Sequence, residues 1–149
     1  MKEEWLFFED LQIGDVVDSP GQTVTEAHVI RYVGLTGEWD ERTTNEEYAR
    51  SRAAGDRQVP DLLPVCLSSG LGWRVPRLPL AILAFMGFEG QFLHPIRIGD
   101  TIWTRARTMA KRAVKEGGIV IEQREILNQH GEVVQSCRLT LLVARRPTP

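Results

Sequence analysis

The run Leu62 to Leu71, Leu-Leu-Pro-Val-Cys-Leu-Ser-Ser-Gly-Leu, is apolar around much of a helical circumference. A short helix of that kind is stable only when the rest of the chain covers it. Two local signals place its start. Asp61 is suited to the N-cap. Pro64 would break a helix interior but costs nothing in the first turn, where its missing N–H would be unpaired anyway. A buried helix over about residues 61–72 is therefore the first expectation, and the remaining chain must supply its cover.

The chain beyond that helix reads as strands. After the Pro-rich turn Val75 to Pro79, the stretch Ala81 to Leu93 is apolar and interrupted by Gly87 and Gly90. Thr101 to Met109 alternates Ile102, Thr104 and Ala106 with Trp103, Arg105 and Arg107, the period of a strand with one solvent-facing side. Ile119 to Leu127 and Val133 to Val143 are joined by Asn128-Gln129-His130-Gly131, which has hairpin chemistry. Four or five antiparallel strands around one buried helix make an α+β domain. The first half is helical by contrast. Thr25 caps a helix over Glu26 to Thr36, with Val29 and Val33 as its apolar stripe and Gly37 as its end. Asn45 caps a short helix over Glu46 to Ala53.

A chain of 149 residues fits one domain, 1–149. Its net charge of -2, with basic and acidic residues interleaved, offers nothing that nucleic acid would hold. No apolar run approaches the roughly 18 residues of a membrane span. The acidic N-terminus has no signal-peptide pattern, so a cytoplasmic location is expected. Cys66 and Cys137 sit in apolar segments and are expected to be buried free thiols. No metal-ligand spacing occurs, and no metal is expected.

The organisation resembles the MaoC-like dehydratases, or R-specific enoyl-thioester hydratases, along nearly the whole chain. The resemblance rests on Phe8-Glu9-Asp10-Leu11-Gln12-Ile13-Gly14-Asp15, on Thr25-Glu26-Ala27-His28 leading to Tyr32 and Leu35-Thr36-Gly37, and on Thr44 to Ser51. Phe92-Leu93-His94-Pro95-Ile96-Arg97-Ile98-Gly99-Asp100-Thr101 is similar to the family's strand-and-turn signature. It implies a single hot-dog domain, an antiparallel sheet wrapped around the central helix. It also implies an acyl-thioester substrate, with coenzyme A or carrier-protein pantetheine as part of that substrate and no separate cofactor.

The family's catalytic loop, G-D-x-N-P-x-H, supplies an Asp and a His that activate water. Such chemistry needs one group to take a proton and an acid to deliver one, both within hydrogen-bond reach. The aligned stretch here is Gly37-Glu38-Trp39-Asp40-Glu41-Arg42-Thr43, with Glu38 in place of Asp and Thr43 in place of His. Thr43 does not titrate near neutral pH, so Glu38 and Asp40 become the acid/base candidates. Carboxylates crowded in one loop raise one another's pKa, which would leave one protonated and one ionised. Trp39 lies in the loop that would cover an acyl chain, and Thr43 of the same loop is with it a candidate substrate contact. The family's His-Gly pair at the start of the buried helix is Pro60-Asp61 here, and the amides of Leu62 and Leu63 would hold the thioester carbonyl.

Three functional readings fit these residues. The first is a hydratase or dehydratase acting on an unusual acyl group. The second is a hot-dog thioesterase in which Asp61 is base or nucleophile. The third is an inactive acyl-thioester binding module, or a partner subunit of an active hot-dog enzyme. Arg50, Arg52, Arg57, Arg74 and Arg77 read mostly as scattered surface arginines, with contacts to coenzyme A phosphates or an acidic carrier as the alternative. A hot-dog sheet leaves an exposed edge strand that invites pairing. The resemblance implies a homodimer, or a heterodimer with a related hot-dog subunit.

Overall fold

The strand periods of the second half close into one antiparallel sheet. A computed structural model describes residues 4–147. Its long strands are β3 (Ile82–Phe92), β4 (Thr101–Val114), β5 (Gly117–Leu127) and β6 (Val133–Val143). Two short strands, β1 (Val16–Asp18) and β2 (Gln22–Thr23), both pair with β4, and the order across the sheet is β1-β4-β5-β6-β3. Among the described residues the sheet thus has six strands rather than four or five. The two additions are three and two residues long, too short to show a period in sequence.

Alternation decides the inner face. Ile102, Thr104, Ala106 and Thr108 of β4 are buried, as are Cys137, Leu139, Leu141 and Val143 of β6. The other face of β4 carries Arg105, which forks onto Asp18 of β1 with two hydrogen bonds of 2.8 Å. Gly118 of β5 lies directly under the Phe8 ring, where any Cβ would collide with it. That close approach brings Phe8 and Leu11 onto the sheet.

The helix α1 (Glu26–Thr36) ends as expected: Gly37, at φ 75°, donates its N–H to the Val33 carbonyl. Its start is held by Thr25 and by His28, whose Nδ1 accepts the Thr25 N–H at 3.0 Å. Two short helices follow, α2 (Glu41–Thr44) and α3 (Glu46–Arg50). The segment read as loop around Glu41 is therefore a helical turn. The helix expected to reach Ala53 stops at Arg50, where Ser51 Oγ donates back to the Tyr48 carbonyl.

The central helix α4 (Leu63–Leu71) sits against β4 and β5. Leu63 and Leu71 join one core cluster with Val24, Ile102, Ile126 and Val134. Val65 packs on both that cluster and the one around Leu139 and Leu141. The hot-dog arrangement is thereby established, with two corrections. Asp61 is not the N-cap: Leu62 occupies that position, in a helical conformation (φ -85°, ψ -15°). The turn Pro60–Leu63 is closed by the backbone, Leu63 N–H donating to the Pro60 carbonyl at 3.0 Å, so no carboxylate is needed. The helix is also only half covered. Leu62, Cys66, Ser69 and Gly70 are exposed, so Cys66 is not the buried thiol expected, whereas Cys137 is buried.

β3 occupies one edge of the sheet and pairs only with β6 among the described strands. Its apolar side chains lie open on both faces, Leu83, Phe85, Met86 and Phe88 all being exposed.

Candidate active site

Three backbone segments converge on the start of α4. The Gly37–Asp40 loop arrives from α1, α2 follows it, and Gln58–Asp61 runs into the helix. Gln58 N–H donates to the Arg42 carbonyl at 3.1 Å and Val59 N–H to the Ile96 carbonyl at 2.9 Å. The segment before α4 is thereby pinned between the loop and the turn that precedes β4. Glu38, Arg42, Thr43, Gln58 and Asp61 line one small cleft there. The fold thus brings Glu38 and Asp61, far apart in sequence, to the same opening.

Glu38 is held from α1. Tyr32 Oη donates to Glu38 Oε2 at 3.0 Å, and Thr36 Oγ1 accepts the Glu38 N–H at 3.2 Å. Burial first, and then the Glu38 carboxylate, push the Tyr32 phenol up to about 12, so it remains a hydrogen-bond donor at neutral pH. Thr43 is buried, and its hydroxyl donates to the Asp40 carbonyl at 2.8 Å, anchoring the loop rather than replacing an imidazole.

Asp40 behaves differently from Glu38. Its Oδ1 accepts the Arg42 N–H at 2.8 Å as the cap of α2, and its Oδ2 takes Arg42 Nε at 2.9 Å and Nη2 at 2.6 Å. The Arg42 side chain and amide hold the carboxyl below its ordinary 3.8, the opposite of the mutual elevation expected for crowded acids. Arg42 turns the carboxylate onto the loop's own backbone, and Asp40 does not line the cleft. A group with a depressed folded pKa stabilises the protein fully above its unfolded value, and that contribution is lost as the pH falls through the folded one. Asp40→Asn keeps a capping oxygen but removes the charge, so it is expected to cost about 0.5 kcal/mol at pH 7 for this partly exposed pair. The cost should vanish in acid. Urea midpoints of both proteins, converging as the pH falls through and below the ordinary carboxylate value of 3.8, would check it.

Asp61 lies at the junction of two clefts. The second is lined by Asp61, Pro64, Phe92, His94 and Gln135 among others. The Asp61 carbonyl accepts Gln135 Nε2 at 2.9 Å, while its carboxylate accepts no hydrogen bond from the described residues. Gln135 Oε1 is buried and likewise unpartnered among them. At the helix start the Leu62 N–H has no acceptor among the described residues, whereas the Leu63 N–H is consumed by Pro60 and its side chain is buried. Of the two amides expected to hold a carbonyl, only that of Leu62 is free. Trp39 is 63% exposed and lies outside both clefts, so in the single chain it covers nothing.

His94 and Gln135 are not legible as site residues in the sequence. His94 reads as the end of a strand before a proline, and Gln135 as one polar residue in a strand. Strand alternation placing Gln135 on the inner face beside Cys137 is the one available signal. Among the described residues no three His, Cys, Asp or Glu side chains gather as metal ligands, and no helix is long and apolar enough to cross a membrane.

A family model described as FAS1-like, dehydratase domain region, matches residues 11–137. A MaoC-like dehydratase from Rhodospirillum rubrum superposes with a TM-score of 0.82 at 32% identity, over 96% of this chain and 99% of that one. The chain belongs to the MaoC-like dehydratase family. A second structure, described as a monoamine oxidase regulatory protein from Archaeoglobus, matches this MaoC-like chain with a TM-score of 0.87 and 26% identity over 99% of both. By sequence, a beta-methylmalyl-CoA dehydratase of Chloroflexus aurantiacus is 29% identical over 144 residues, 94% of this chain and 40% of that protein. The chain spans between 32% and 65% of the length of the curated relatives it matches.

Proposed function

We propose that this MaoC-like chain is an acyl-thioester hydratase or dehydratase in which Glu38 is the acid/base group. The observation that carries the reading is that Glu38, held by Tyr32, and Asp61 line one cleft just before the start of α4, where the next amide, that of Leu62, has no acceptor among the described residues. In the hydration direction the Glu38 carboxylate takes a proton from water as the water oxygen bonds to C3 of the enoyl group. The C2–C3 π electrons move onto the thioester carbonyl, where the Leu62 N–H stabilises the enolate oxygen. The carboxyl formed on Glu38 then gives its proton to C2, and the carboxylate is restored. Dehydration is the reverse. Asp61, whose carboxylate accepts no hydrogen bond from the described residues, accepts one from the water and orients it in this reading. The family relatives, hydratases and dehydratases by name, support this direction of assignment. The cytoplasm and an unusual acyl group, implied by the altered loop, belong to the same proposal.

The unengaged Asp61 carboxylate favours the thioesterase as second reading, because a base or nucleophile needs a free oxygen. The exposed β3 edge supports a homodimer, since a second copy pairing there would continue the sheet and cover the open faces of β3 and α4. A heterodimer with a related subunit uses the same edge.

The test is purified protein incubated with enoyl-, 3-hydroxyacyl- and saturated acyl-CoA thioesters. Mass spectrometry would follow gain or loss of water, and a thiol reagent would follow free coenzyme A. Water addition or loss without thiol release is expected. Thiol release without hydration would move the assignment to Asp61 hydrolysis. Silence in both channels across chain lengths would leave binding or a subunit role in place of catalysis.

A further inference from the structure

At the opposite end of α4 from Asp61 lies a third pocket, mostly apolar, with about 610 Å³ of atom-free space open to solvent. Leu80, Phe85 and Leu139 contribute apolar walls, and Arg77, Glu122 and Arg124 contribute three charges. Glu122 and Arg124, two residues apart on β5, share the inner face. Glu122 is 3% exposed, and its Oε1 takes Arg124 Nε at 2.8 Å and Nη2 at 2.5 Å. Its charge is thus matched by one guanidinium. Arg77 is the surplus. Its Nη2 stands 4.0 Å from Glu122 Oε2, beyond hydrogen-bond reach, and its guanidinium makes no hydrogen bond with the described residues.

Arg77 is not the surface arginine its sequence context suggests, since only 23% of its side chain is exposed. Burial lowers its pKa, which Glu122 opposes and Arg124 reinforces. Asp15, which acts on it more weakly, already accepts the Gln12 N–H. Two guanidiniums here share one carboxylate, and the more weakly held, that of Arg77, has all its N–H donors open among the described residues. An apolar pocket with that net positive charge suits an apolar chain that ends in an anion, because the planar fork binds a carboxylate through two parallel N–H bonds.

We propose that this pocket receives the terminal carboxylate of an extended acyl chain, with Arg77 as its partner and the apolar walls around the methylenes. This rests on the acyl-thioester reading and narrows the substrate to an acyl group with a distal carboxylate. The nine residues of α4 separate the pocket from Leu62, about 13 Å at helical rise. A medium-length chain is required to join them.

The experiment is calorimetric titration of the full chain with sebacyl-CoA and decanoyl-CoA, which match in length and differ in the distal carboxylate. Free decanoate and decanol form a second pair without coenzyme A. Sebacyl-CoA is expected to bind about tenfold or more tightly than decanoyl-CoA, the usual worth of a charge-assisted hydrogen-bonded pair. Arg77→Met should erase that preference and leave decanoyl-CoA binding unchanged. Its melting temperature should change little, because Glu122 keeps both hydrogen bonds from Arg124. Arg77→Gln should agree with it. Equal binding of the two thioesters by the unaltered protein, or equal weakening of both by each variant, overturns the proposal. If neither thioester binds but decanoate does, in preference to decanol and only with Arg77 present, the carboxylate pocket stands and the thioester reading falls. If decanoate and both thioesters all fail to bind, the pocket assignment is overturned.

Discussion

Glu38→Gln is expected to lower turnover on a confirmed enoyl or 3-hydroxyacyl thioester by about a hundred- to ten-thousandfold, the usual worth of a positioned acid/base group. The amide preserves the shape of the side chain and the acceptor for Tyr32 Oη, so stability should change little. KM should also hold, because the lost proton transfer belongs to the chemical step alone. Tyr32→Phe removes the hydroxyl that holds Glu38 and should cost less, because the carboxylate remains and only its position loosens. Asp61→Asn separates the two enzyme readings. In a hydratase driven by Glu38 it costs about tenfold through a misoriented water. In a thioesterase it abolishes release of thiol while Glu38→Gln is tolerated. Full turnover by Glu38→Gln would remove the acid/base role assigned to this loop.

Met86→Lys should turn a dimer into a monomer. Met86 is 55% exposed near the middle of β3, on the unpaired edge of the sheet. If two copies pair antiparallel along the full strand, Met86 lies close to the two-fold axis, and the substitution sets two ammonium groups side by side. Like charges across an interface cost on the order of several kcal/mol, a hundredfold or more in the dissociation constant. Light scattering should move from about twice the 16.9 kDa chain mass to once that mass. The melting temperature should at the same time lose its dependence on protein concentration. An unaltered protein that elutes at 16.9 kDa refutes the pairing directly.

The helix Leu63–Leu71 and the four long strands are readable because each depends on side chains close in sequence. Apolar circumference, an early proline and period-two alternation are local properties, and they agree with one another and with the family likeness. Even there the helix cap differs from expectation. An Asp before an apolar run is a good cap, but Gln135, from a strand 74 residues away, takes the Asp61 carbonyl, and Pro60 closes the turn instead.

The site is legible in part. Glu38 and Asp61 are both candidates from the loop and the helix start, yet nothing local says that they meet. Asp40 carries the same charge as Glu38 and sits two residues on, but a bidentate Arg42 commits it to capping α2. The order of residues alone sets the chemical inventory: a carboxylate where the family has Asp, no histidine at Thr43, and enough apolar period for one sheet around one helix. Tertiary contacts alone select which carboxylate stays free and which amide at the helix start remains unpaired. They also leave Arg77 half buried beside an already neutralised Glu122. Hydrogen-bond valences and desolvation are settled by neighbours from distant segments, and those neighbours exist only once the sheet has closed on the helix.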